Sequence, residues 1–140
     1  MSFQEKSAYV MVMALLLGGG LYFYEVFSQS VGLDTMISPA IPGLIKLTFI
    51  MVVVSIIGHI IIAAISPKDA EARLDERETQ IFNRAGSLSG FILGFVVIFS
   101  LGHYLTSEDG SLLFYTVFAG LIVSQLSEYV IRILLYRTAL

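Results

Sequence analysis

Four ionisable side chains stand out inside long apolar stretches of this chain: Glu25, His59, His103 and Glu128. Such groups are costly in an apolar medium, so they turn toward a protein interior, toward water or toward a partner. Imidazole is the side chain that gains and loses a proton near neutral pH, and a nearby carboxylate favours its charged form. With imidazole neutral, the same pair supplies two ligands to a divalent cation. His59 lies seven residues before Ser66, roughly 10 Å inside the end of its stretch, and Glu128 lies nine before Arg137, roughly 13 Å inside. Their similar depth makes them one candidate proton or metal pair. Glu25 and His103, toward the opposite end, make a second. Two ligands do not complete a tetrahedral site, so Gln125, Ser124, water or a second protomer would have to contribute. In the competing arrangement Glu128 turns to Arg132, four residues on, and His59 bonds a hydroxyl or a backbone carbonyl.

The helical faces that carry these groups are small and polar. Thr48, Ser55, His59 and Ser66 share one face, as do Thr116, Gly120, Ser124, Ser127 and Glu128 on another stretch. Both faces are expected to point inward. Ser89, Val96, Ser100 and His103 align similarly, and Gly18 stands one heptad before Glu25. No phosphate-binding glycine loop, H-E-x-x-H helix or G-x-S-x-G elbow occurs, which argues against a hydrolase or phosphoryl-transfer enzyme. Cysteine is absent, excluding disulfides, thiol catalysis and Cys-type zinc sites. No cofactor is indicated. Net charge is −3 and no basic patch is interleaved with aromatics, so nucleic acid is not an expected partner.

The elements that position these groups are four apolar runs, Ser7–Phe27, Ile41–Ile65, Ala85–Thr106 and Leu112–Tyr136. Each reaches the length of about 20 residues that a helix needs to cross a bilayer. Hydrophobic residues form 56% of the chain and charged residues 14%, against about 25% charged in a soluble domain. The mean hydropathy is +0.85. The expected fold is an all-α, four-helix transmembrane bundle forming one domain over residues 1–140. Glu25 and the length of the first run argue against a cleaved signal peptide. Ser2 with Glu5 has capping-box spacing, and Pro42 suits the first turn of the second helix. Gly86, Gly90 and Gly94 form a small-xxx-small ridge on the third, which predicts close approach by another helix, within the chain or from a second copy.

Between the second and third runs lies the charged segment 67–84. Ala70, Leu74, Ile81, Ala85 and Leu88 keep one apolar face, predicting a short amphipathic helix that feeds the third span. Asp75 and Glu78 offer a capping box there, and Ser66 with Pro67 and Asp69 offers another. The stretch Asp75-Glu76-Arg77-Glu78-Thr79-Gln80-Ile81-Phe82-Asn83-Arg84-Ala85 resembles a run in small multi-pass prokaryotic membrane proteins of unassigned function. In those, Asp-Glu-Arg is followed by an apolar residue and an Arg-Ala or Arg-Ser pair at the start of a membrane helix. The resemblance spans little more than a dozen residues. It implies a prokaryotic plasma-membrane protein and carries over no site residue.

Lys6, Lys68, Arg73, Arg77, Arg84, Arg132 and Arg137 fall on one side of a four-pass topology, and Lys46 alone lies toward the other. The positive-inside rule then places both termini and the connector in the cytoplasm. The leading expectation for function is a non-enzymatic membrane protein that works through helix packing, with the bilayer and a second copy or partner subunit as its partners. The alternative is a carrier, channel or sensor for a proton, small cation or metal.

Overall fold

A computed structural model describes residues 2–67 and 74–138. Among these residues there are four helices: α1 (Phe3–Ser30), α2 (Ile41–Ile65), α3 (Glu76–Ser107) and α4 (Gly110–Arg137). All four are long and apolar enough to cross a membrane. The shortest, α2, has 25 residues, roughly 38 Å at 1.5 Å each, which exceeds a hydrocarbon core of about 30 Å.

Three starts are capped by side chains. Ser2 Oγ accepts from Glu5 N at 3.2 Å, Asp75 Oδ1 from Glu78 N at 2.6 Å, and Asp109 Oδ1 from Leu112 N at 3.0 Å. Helix α2 begins instead with Pro42 in its first turn, where a missing N–H costs nothing. Helix α3 runs unbroken from Glu76, so residues 76–84 of the expected amphipathic segment are its first turns. The capping pattern read at Ser66 extends through Asp69 and lies partly outside the described residues. Ser66 itself ends α2, its N–H bonding Ile62 O at 3.0 Å.

The bundle is ordered α2, α1, α4, α3 by its main contacts: α1 packs on both α2 and α4, and α3 packs on α4. Helix α1, packed on both sides, carries the most buried residues, including Ala14, Leu15, Gly18 and Tyr22, whereas only Ile62 is buried on α2. Gly58 and Gly120 permit two of these approaches. A Cβ on Gly120 would stand 2.6 Å from Val96 Cγ1, and one on Gly58 would collide with Val10. Both are seams where only hydrogen fits.

The two ends are fastened differently. At the end carrying both termini, the buried Glu5 lies 3.6 Å from Arg137 Nε, and Tyr136 donates its hydroxyl to Glu78 Oε1 at 3.2 Å. At the other end Tyr22, Val26 and Tyr115 form a buried cluster, with Phe23, Phe114 and Phe118 packed against it. Tyr22 meets Phe118 edge-on, with ring centroids 5.3 Å apart. The loop after α1 turns at Gly32 (φ 84°), where left-handed backbone suits glycine. It then returns so that Ile37 N donates to Ser30 Oγ at 3.2 Å.

Candidate functional site

The structure does not bring His59 and Glu128 together. Each is engaged in a different helix pair. On α2, His59 Nδ1 lies 2.7 Å from the Ser55 carbonyl, which only accepts, so Nδ1 carries the hydrogen. Nε2 lies 2.8 Å from the Ser7 hydroxyl of α1, which can donate to it or accept from it. The histidine thus ties α2 to α1 with both nitrogens satisfied. Lys6, the preceding residue on α1, donates to Ser66 Oγ at the same seam.

Glu128 belongs to the α3–α4 seam. It forms an ion pair with Arg132 one turn on, and both side chains are mostly buried, 16% and 19% exposed. Ser89 Oγ of α3 lies 3.4 Å from Glu128 Oε2 and 3.0 Å from the Gly86 carbonyl, sharing one hydrogen between them, while Ser124 Oγ of α4 donates to the Ser89 carbonyl at 3.0 Å. The Arg132 guanidinium lies 4.1 Å from the centre of the Phe82 ring and 5.1 Å from that of Tyr129. Stacking on aromatic faces is a favourable way to hold a guanidinium away from bulk water. Gln125 is exposed rather than directed at this network.

Glu25 and His103 are likewise apart. Glu25, on the last turns of α1, forms an ion pair with Lys46 on the second turn of α2. His103 is exposed on α3, and no hydrogen bond of its ring is found among the described residues. Beside the Glu25–Lys46 pair is a half-open cleft of about 280 Å³, walled by α1, α2, the tip of α4 and the returning loop. Among the described residues, no three His, Asp or Glu side chains cluster closely enough to hold a metal ion.

The ridge of Gly86, Gly90 and Gly94 is left open. A Cβ added to any of the three would meet nothing within 4 Å. Gly90 and Gly94 instead floor a shallow groove on the outer surface of α3, bordered by Ser87, Phe91, Phe95 and Ile98. The close seam between α3 and α4 runs along Ser89, Val96 and Gly120.

Ser7, Lys46, Tyr22 and Tyr115 were not singled out by the sequence reading as site residues. The Glu25–Lys46 pair had a usable signal: the two stand five residues from facing ends of consecutive helices, at equal depth and with opposite charge. Ser7 had none, since its partner comes from another helix at a rotation the sequence does not specify. Comparison with protein-family models, with curated proteins and with solved structures gives no match for this chain.

Proposed function

We propose that this chain is a non-catalytic membrane protein that works by assembling with a second copy of itself through the outer face of α3. One observation carries the reading: a Cβ added at Gly86, Gly90 or Gly94 would meet nothing within 4 Å among the described residues. Three glycines in a helix interior each cost roughly 0.5–1 kcal/mol relative to alanine, and no packing within the chain offsets that cost here. In a bilayer, helices associate through close backbone approach, for which such a ridge is suited. The positive-inside rule and the local resemblance support a prokaryotic plasma membrane, with both termini and the α2–α3 connector cytoplasmic.

Transport or sensing of a cation ranks second. Glu25 and Glu128 are each neutralised by a basic partner, and both nitrogens of His59 are bonded. A cation would have to displace an existing partner at each place.

The test is the mass of the purified protein in detergent, measured by light scattering over a dilution series, for wild type and Gly90→Leu. The substitution is expected to shift the association equilibrium toward monomer by about tenfold or more, which is 1.4 kcal/mol or more. The melting temperature of the monomer should not fall, because a Cβ at this position meets nothing within 4 Å among the described residues and leucine favours the helix over glycine. A wild type that is monomeric throughout, or a Gly90→Leu variant that associates equally well, contradicts the proposal.

A further inference from the structure

The cleft beside Glu25 and Lys46 has the chemistry of a binding site. Its charged mouth is formed by those two side chains, 39% and 56% exposed respectively. Gln29 and Ser38 add polar groups to its wall, and Tyr22 and Tyr115 line its depth. Both tyrosines are almost wholly buried, at 5% and 3% exposure, yet neither hydroxyl has a hydrogen-bond partner among the described residues. Nor are these hydroxyls sealed in. Among the described residues, the one fully enclosed side-chain polar atom without a partner is Arg132 Nε, elsewhere in the molecule. Tyr22 and Tyr115 both line the cleft, and neither hydroxyl is fully enclosed. Buried polar groups ordinarily find partners, so two unused O–H donors beside a lysine mark a place for an oxyanion. The carboxylate of Glu25, with the Gln29 amide beside it, marks a place for an ammonium group.

We propose that this cleft binds a small zwitterionic group, with its oxyanion held by Lys46, Tyr22 and Tyr115 and its ammonium held by Glu25. Without a ligand, Glu25 and Lys46 neutralise each other. Exposed ion pairs contribute little, so exchanging one such pair for two with the ligand is cheap. The walls are pre-formed: the aromatic cluster fixes both tyrosines, and the Ile37–Ser30 bond holds the loop against α1. The volume of about 280 Å³ lies at the small end of ligand sites and suits a headgroup-sized molecule. Two sources share this chemistry: the phosphoethanolamine headgroup of a lipid, and a free solute of the same kind. Glu25 and Lys46 each lie about 7 Å from the end of their helix, a depth a lipid headgroup reaches.

The experiment is native mass spectrometry of the full chain in a neutral detergent, titrated separately with phosphatidylethanolamine, phosphatidylglycerol and free phosphoethanolamine. Phosphatidylethanolamine is expected to bind about tenfold more tightly than phosphatidylglycerol, which lacks the ammonium. Glu25→Gln and Lys46→Gln should each weaken binding about tenfold, and Tyr115→Phe, which keeps the ring and its packing, about threefold. Lys6→Gln, at the opposite end, should leave it unchanged. Binding of free phosphoethanolamine as well supports the site and assigns a soluble source, whereas binding of the lipid alone supports it and assigns the headgroup. Equal binding of the two lipids, unchanged binding by Glu25→Gln and Lys46→Gln, or no binding of either ethanolamine compound would overturn the proposal. The Tyr115→Phe arm guards against a variant that merely unfolds, and none of these readouts depends on oligomer formation through α3.

Discussion

Glu128 and Arg132 show how a charge is tolerated beside a bilayer. Each is mostly buried, they are one helical turn apart, and the guanidinium is covered by Phe82 and Tyr129. Removing one member of such a pair leaves the other buried without compensation, at about 3–5 kcal/mol, whereas replacing both costs far less. Glu128→Gln is therefore expected to lower the melting temperature sharply. Adding Arg132→Met to it should restore much of the loss, and scanning calorimetry in detergent on the double-mutant cycle measures the coupling. An additive pair of effects would mean that the ion pair contributes nothing. The same scale separates the glycines. Gly120→Ala forces a methyl group to 2.6 Å from Val96 and should cost about 1–3 kcal/mol, while Gly94→Ala fills open space and should not destabilise the monomer.

Helix ends set the second scale. The α3–α4 connection is short because Glu108 closes α3 in the left-handed region, φ 52°, with its N–H on Tyr104 O at 2.8 Å. A residue with a Cβ is strained there by about 1–2 kcal/mol, and glycine is the usual occupant. Glu108→Gly should raise the melting temperature, and Glu108→Val, β-branched at a positive φ, should lower it. If both variants melt with wild type, the turn does not contribute to stability. Directly after it, Asp109 caps α4 through Leu112 N. Asp109→Ala should cost about 1 kcal/mol in the same assay. Both features concern polar backbone groups at a helix end.

At the scale of the molecule, the four spans were legible because a helix must present an apolar surface over the whole bilayer thickness. The neighbour order was not. In a soluble bundle the apolar stripe reveals the buried face, but here lipid and protein interior are both apolar, so Phe91 and Phe95 can be exposed while Ser89 and Ser124 are buried. The polar faces of α2 and α4 were legible as faces, yet they meet different partners: His59 finds Ser7 of α1, and Glu128 finds Arg132 and Ser89. Equal depth placed His59 and Glu128 together only on the assumption that α2 and α4 are neighbours, and α1 stands between them in the packing order. The glycine ridge was legible as a ridge; that no other described helix packs against it was not. The topology itself is open to a direct check. Single cysteines at Ser30 and Asp109 should label in intact cells with an impermeant thiol reagent, and one at Glu76 should not; the reverse pattern would invert the assignment.

The outer face of α3 is the surface on which the account turns, and the absence of native cysteine makes its test clean. Ser87→Cys places one thiol in the groove beside Gly86 and Gly90, and Phe49→Cys places one on the exposed face of α2. Oxidative cross-linking in native membranes, read as dimer on a non-reducing gel, compares the two. Assembly through α3 predicts that Ser87→Cys cross-links efficiently, that adding Gly90→Leu abolishes this, and that Phe49→Cys yields little dimer. Equal cross-linking at the two positions, or dimer from Ser87→Cys that persists with Gly90→Leu, would contradict it.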